Sequence, residues 1–548
     1  MHSKKVCLVL AIAFGIALAG CGERVDDEAH VAPLDALDEE DLGPAPGDRI
    51  VFHMMAEMDH LNPYTSSDAS ESTVNAYIFE GLLERNPETL DMEPRIAESW
   101  DICEEYLEYT FYLRDDVRFS DGEPLTAEDV VFSFETVLDP EVMAPHLRNY
   151  YADIEEVELV DDYTVRFTCS QPYFRHLIMI GGLPILPKHI YGEGDFNDHP
   201  KNRSPVGSGP YVFHDWRTGQ RVTLRRNENY WKEKPYIEER VFLIITEPNS
   251  AFQILNRQDM DVMELTPELW RHRASRSEFQ QRFNRYTYYA PRYSYIGYNM
   301  RRSIFEDKRV RRAMTMLIDR KEFLEHVHYD LGQVITGNFF IKNPEYNEEI
   351  EPWPYDPDGA LELLAEVGWE RNDHGFLEKD GQEFRFELII RADSPTDEQI
   401  ATVFQESLRR AGIRLRIRRL EWASLLQQVD SRDFDAVRLG WSMPPDPDPF
   451  QVWHSSQSER GSNHVGFVNE EADAIIEEAR QTFDDEHRTE LYRRFHEIVH
   501  EEQPYTFLFC MEVLLAVDNR FHGITIYPYG PDSREWYVPA PLQRYLLQ

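Results

Sequence analysis

The spacing most suggestive of chemistry is His496-Glu497-Ile498-Val499-His500, a literal H-E-x-x-H. On a helix its two imidazoles lie one turn apart and can share a zinc ion while the glutamate serves as base. Leu491, Phe495, Ile498 and Val499 supply an apolar face at helical spacing, and Pro504 ends the run. Beyond His500 the chain reads Glu501-Glu502-Gln503-Pro504, not the glycine-bearing extension to a third histidine, so a further ligand would have to come from as far as Glu512 or Glu535. A zinc metallopeptidase is therefore the remote reading. His326 and His328 are two of 19 histidines, and solvated surface positions account equally well for their spacing. There is no G-x-S-x-G elbow, no G-x-x-x-x-G-K-[ST] loop and no glycine-rich dinucleotide fingerprint, so hydrolytic and nucleotide chemistry lack support. With 100 carboxylates in the chain, no acid/base pair stands out. No catalytic residue, metal ligand or cofactor is assigned.

A second kind of chemistry sits at the N-terminus. Lys4 and Lys5 precede an apolar run, Val6 to Ala19, too short to span a membrane but suited to a secretory signal. It closes as Leu18-Ala19-Gly20-Cys21, which resembles the bacterial lipobox, in which cleavage leaves the cysteine as a lipidated N-terminus. Residues 1–20 are thus read as a signal peptide, Cys21 as the lipid site and the acidic, Pro-containing stretch 21–47 as a flexible tether. Cys103, Cys169 and Cys510 remain in the body, an odd number with no metal or redox spacing.

The elements that must position any site alternate between strand and helix. Tyr109–Leu113 and Tyr163–Phe167 carry the aromatic and β-branched content of strands. Thr126 before Ala127-Glu128-Asp129 and Asp356 before Pro357 are helix starts, while Gly368 and Gly412 are helix stops. The strand 413–417, the helix 422–429 and the strand 436–439 come in succession, which implies a sheet covered by helices. The fold class is α/β, and 548 residues suffice for two to four packed domains. The net charge of −43, spread along the chain with 47 arginines but only ten lysines, argues against nucleic acid as a partner and suggests a saline habitat.

Leu61-Asn62-Pro63, Phe79-Glu80-Gly81-Leu82-Leu83, Pro94 to Trp100, Phe119-Ser120-Asp121-Gly122, Gly207-Ser208-Gly209-Pro210-Tyr211, Gly440-Trp441 and Gln503-Pro504-Tyr505 occur in an order that resembles the family 5 extracellular solute-binding proteins. The resemblance implies a two-lobed periplasmic-binding-protein fold (type II) closing on a ligand by hinge motion. Residues 48–290 would form lobe I with 85–200 as an added subdomain, 291–519 lobe II, and 520–548 a return to lobe I, with crossings near Tyr295–Asn299 and 515–522.

The implied function is capture of peptides in an interlobe cleft and delivery to the permease of an ABC importer with its cytoplasmic ATPase, by a monomer held in the periplasmic space or at the outer face of the cytoplasmic membrane. A non-peptide solute or a nickel-type chelate is the alternative ligand. The residues implied at the ligand are Ser67, Asp68 and Ala69 on one wall and Arg438, Gly440, Trp441 and Ser442 on the other. Tyr150, Tyr151, Tyr295, Trp422 and Asn463 are further picks. Arg438 sits where a relative grips a peptide C-terminal carboxylate, although a salt bridge explains it equally. Peptide binders often carry an Asp three residues beyond the Trp for the ligand's α-ammonium. Here Met443-Pro444-Pro445 intervenes, leaving Asp446 as the substitute or the amine pocket absent.

Overall fold

The computed structural model describes residues 42–66 and 68–545; the signal, Cys21, most of the tether and Ser67 lie outside the described residues. Two sheets organise the chain. The larger has eight strands, with Arg49–Met54 at its centre, parallel to Glu239–Ile244 and flanked through Val262–Glu264 by Phe509–Asp518 and Phe283–Tyr289. The smaller has five, in the order Arg414–Leu420, Arg385–Arg391, Ala436–Ser442, Arg292–Tyr298 and Tyr505–Phe507. A separate four-stranded sheet, Ala97–Ile102, Glu108–Leu113, Thr164–Cys169 and Ile154–Asp161, is built on the first lobe.

Local chemistry explains the elements. In Glu108–Leu113, alternation buries Tyr109, Phe111 and Leu113 against the helix Ala127–Leu138 and leaves Glu108 and Tyr112 outside. That helix starts with a capping box in which Asp129 accepts the Thr126 amide at 2.9 Å. The helix Pro395–Ala411 ends on Gly412, whose φ of +90° lets its amide reach back to Leu408 and Arg409.

The chain passes between the two lobes twice. Phe283–Tyr289 belongs to the larger sheet and Arg292–Tyr298 to the smaller, so the first crossing is Ala290-Pro291. The second lies inside the long strand Phe509–Asp518, between Met511 and Glu512: Phe509–Met511 pairs with Gly332–Val334 and Phe509 packs in the core of lobe II, while Glu512–Asp518 pairs with Phe283–Tyr289 of lobe I. This corrects the expected crossings at Tyr295–Asn299 and 515–522, and it moves residues 512–518 from lobe II to lobe I. The shift has a simple cause: strand-forming, largely apolar sequence runs from 505 to 517 without a Gly or Pro to mark a break, and only tertiary pairing decides where it changes lobe. The return to lobe I is fixed by Arg520, buried and bonded to Asp48 at 3.2 Å and to Asp261 at 2.5 Å.

Candidate functional site

The site is built where the smaller sheet splits. Ala436–Ser442 pairs with Arg292–Tyr298 along its whole length but with Arg385–Arg391 only at Ala436 and Val437. Beyond Val437 the two parallel strands part and leave a cavity of about 450 Å³ between Arg391, the start of the helix Pro395–Ala411 and residues 438–442. That volume lies within the usual range of ligand pockets. Gly440 is needed there because a Cβ at this position would meet the Tyr293 carbonyl oxygen at 2.8 Å.

Arginines dominate the walls. Arg438 is 9% exposed; its guanidinium stands 3.3 Å from the Asp397 carboxylate and donates to the Leu439 carbonyl at 2.5 Å. Its Nε is buried without a hydrogen-bond partner. Burial pushes the guanidinium pKa below its ordinary value, against the opposing pull of Asp397. Arg391 and Arg292 also line the cavity, each held at its rim by an acid, Asp393 and Glu264 respectively, at 3.0 Å. His328 completes the wall: burial, and then the nearby Arg438 charge, push its pKa down to about 4, so it is neutral at pH 7, and its Nδ1 is also buried and unpartnered. The cavity walls carry three arginines inside a chain of net charge −43, and the residues lining it bury two nitrogens without partners. Such groups are costly to leave unpaired.

The residues expected at the ligand separate into two groups. Arg438, Gly440, Trp441, Ser442 and Trp422 line this cavity. Trp441 donates its Nε1 to the Tyr505 hydroxyl at 3.4 Å, and Trp422 is 49% exposed. Tyr295 instead lies in the core, stacked on Tyr505 at 3.8 Å, so it supports Trp441 from behind. Tyr151 is buried in the lobe I core with its hydroxyl bonded to the Met179 carbonyl at 3.2 Å, whereas Tyr150 is 38% exposed near Arg175. Asn463 is fully buried and spends its side chain on the backbone of His454 and Phe467. Tyr151, Tyr295 and Asn463 are thus scaffold residues, a correction whose cause is apolar and aromatic packing. Asp68 caps the helix that Ala69 begins, accepting from the Ser70 amide at 2.7 Å. No sequence signal marks Asp397, Arg391, Arg292 and His328 as neighbours of Arg438; each is distant in sequence, and only the splitting of the strands brings them together.

The opposing lobe approaches closely. Arg85, of lobe I, forms an ion pair with Asp446 of lobe II, and Tyr173 donates to Asp448 at 2.6 Å. Tyr106, at the tip of the subdomain's first hairpin, stacks on Phe483 with centroids 3.6 Å apart and planes 12° from parallel. Phe174 donates its amide to the Arg480 carbonyl at 3.0 Å. A second cavity of about 420 Å³ runs between the lobes, lined by Tyr77 and Arg85 on one side and Pro445 on the other.

The H-E-x-x-H segment does form a helix, Asp485–Glu502. Its histidines, however, are engaged elsewhere: the His496 ring lies 3.0 Å from the Thr336 hydroxyl and 3.0 Å from the Asn347 amide, and His500 Nδ1 lies 3.2 Å from the Thr336 carbonyl while its ring stacks on Trp353. Gly337 admits the His496 ring, since a Cβ there would collide with it. Glu497 is turned outward to Arg494 at 2.8 Å.

Two α/β lobes joined by two adjacent crossings, with a cavity at the facing edge of one, define a two-lobed binding protein of the type II periplasmic class. The profile of the bacterial extracellular solute-binding proteins, family 5 (middle region), matches residues 91–463, and the chain belongs to that family. It is 30% identical over 500 residues to the oligopeptide-binding protein AppA of Bacillus subtilis, covering 88% of this chain and 90% of that one. The structure of AppA in complex with a nonapeptide superposes with a TM-score of 0.79 at 29% identity, covering 90% of this chain and all of the other. NikZ from Campylobacter jejuni in complex with Ni(L-His) gives 0.77 at 26% identity, with the same coverage. Among the described residues no helix is long and apolar enough to cross a membrane.

Proposed function

We propose that this chain is the peptide-capturing component of an ABC importer, exported, anchored through a lipid on Cys21, and handing its ligand to a membrane permease driven by a cytoplasmic ATPase. It works as a monomer and performs no chemistry on its ligand. The observation that carries the peptide reading is Arg438, which is held by Asp397 and lines, with Arg391 and Arg292, the cavity opened where the strands split. A planar guanidinium in a low-dielectric site is suited to a terminal carboxylate. Strand edges and Trp441 beside it offer main-chain hydrogen bonds and an apolar wall to an extended ligand, in the manner of strand addition. The peptide-binding relative supports the same reading.

Closure follows from geometry. The paired crossings at Ala290-Pro291 and Met511-Glu512 are short and adjacent, with Tyr289 paired to Glu512, so a small change of backbone angle there swings one lobe against the other. Ligand that touches both lobes only when they are together shifts the population toward the closed form. The metal-chelate reading has one observation in its favour, a neutral histidine, His328, on the wall of the same cavity.

Thermal unfolding of the purified protein with short peptides, with their C-terminal amides, and with nickel–histidine separates the two. A stabilisation by free-carboxylate peptides that is lost on amidation and indifferent to EDTA supports peptide capture; saturation at about 100 times Kd adds about 2.7 kcal/mol. A shift confined to the chelate assigns the cavity to metal complexes.

A further inference from the structure

The subdomain built on lobe I reaches lobe II at two points, and the residues that meet there line neither of the two cavities described above. At the first, Tyr173-Phe174, between the strand Thr164–Cys169 and the helix His176–Gly182, is set against lobe II side chains. The Tyr173 hydroxyl donates to Asp448 at 2.6 Å, the other Asp448 oxygen accepts from the Phe450 amide at 3.0 Å, and the carboxylate side chain is 7% exposed. The Arg480 guanidinium stands 3.3 Å from the same carboxylate and lies against two rings, Tyr173 at 4.5 Å and Phe450 at 4.3 Å. Arg488 covers the Phe174 ring at 4.3 Å. At the second point Tyr106 stacks on Phe483. Tyr106 does so from a φ of +57°, a left-handed conformation unfavourable for an aromatic residue.

These contacts form whenever the lobes meet, whatever lies in the cleft. In a chain of net charge −43 the approach of the lobes is opposed by self-repulsion. A buried hydroxyl–carboxylate bond and arginines laid on aromatic faces act against it. We propose that the subdomain is a latch: Tyr173, Asp448 and Arg480 set the closing equilibrium of the two lobes independently of the ligand, and so scale the affinity for every ligand by one common factor. The reason is that a ligand gripped by both lobes binds with its intrinsic dissociation constant divided by the fraction of protein that is closed. The latch rests on two-lobed closure and not on peptide as the ligand.

X-ray scattering of the purified protein, with titration calorimetry against trialanine, a pentapeptide of alanine and leucine, and nickel–histidine, tests it. Tyr173→Phe keeps the ring and its packing and removes only the donor. It should enlarge the radius of gyration in buffer alone and weaken each probe that binds by the same factor, up to about tenfold. Asp448→Asn, made from the other lobe, should do the same, and the double variant should add little to either single one, because both substitutions remove one bond. A radius unchanged in both variants overturns the proposal, as does a loss of affinity that differs among the probes by more than about threefold. Should none of the probes bind, the peptide reading fails, while the radius of the two variants still decides for or against the latch.

Discussion

Arg438 and Asp397 meet at 3.3 Å with both side chains about nine-tenths buried, one from the strand Ala436–Ser442 just past its last pairing with Arg385–Arg391 and the other from the first turn of the helix Pro395–Ala411. The pair holds the guanidinium in place at the cavity wall, so the acid positions the arginine at the cost of partly neutralising it. Removing either partner leaves an uncompensated buried charge.

Arg438→Ala should therefore weaken binding of carboxylate ligands by about 30-fold or more and lower stability by about 3 kcal/mol. Arg438→Lys should recover part of the stability but little of the affinity, because an ammonium lacks the planar fork. Titration calorimetry together with urea unfolding measures both.

Trp441→Ala should cost about 2 kcal/mol of ligand affinity while the fold persists, since the indole forms a wall of the cavity and its Tyr505 contact is long. Tyr295→Ala, by contrast, should act on stability, by about 3 kcal/mol, because Tyr295 is a buried core ring. Equal effects of the two on affinity would contradict the separation of wall from scaffold.

His496→Ala should destabilise by about 2 kcal/mol through loss of its hydrogen bonds to Thr336 and Asn347, with peptide affinity unchanged. Zinc uptake measured by atomic absorption should be the same before and after the substitution. A stoichiometric zinc lost with His496 would revive the peptidase reading.

Acid should weaken the fold in a defined window. Burial pushes His328, His464 and His500 down to about 4 and His496 to about 3, from an ordinary value of 6.5. The unfolded chain thus takes up protons as pH falls through 6.5 while the folded chain refuses them. Stability from these groups is complete above pH 6.5 and is lost as pH falls toward 4. Denaturant midpoints at pH 7.5, 6 and 5 should decrease in that order, and His500→Gln should make the decline shallower.

The contact of Tyr106 with Phe483 lies far along the chain from the cavity residues and joins the subdomain to lobe II. Phe483→Ala should favour the open form, seen as a larger radius of gyration in X-ray scattering, and should weaken ligand binding by about threefold by raising the cost of closure. An unchanged radius would show that this stack does not hold the lobes together.

The sequence by itself determined the class of this protein and the face of several elements. Alternation in Tyr109–Leu113, the capping box at Thr126–Asp129 and the Gly412 stop are local signals, set by the chain's own sterics and hydrogen bonding, and they appear in the fold as read. The order of phrases from Asn62-Pro63 to Gln503-Pro504-Tyr505 led to the family, and Arg438, Gly440, Trp441 and Trp422 do line one cavity. Only the tertiary structure decided the rest. The lobe crossing between Met511 and Glu512, the scaffold role of Tyr295 and Tyr151, the diversion of His496 to Thr336 and the capture of Asp446 by Arg85 all join residues far apart in the chain. A local pattern shows that a side chain is aromatic, basic or acidic. Whether that group meets a ligand or a partner already in the molecule depends on burial and long-range pairing, which no spacing in the sequence records.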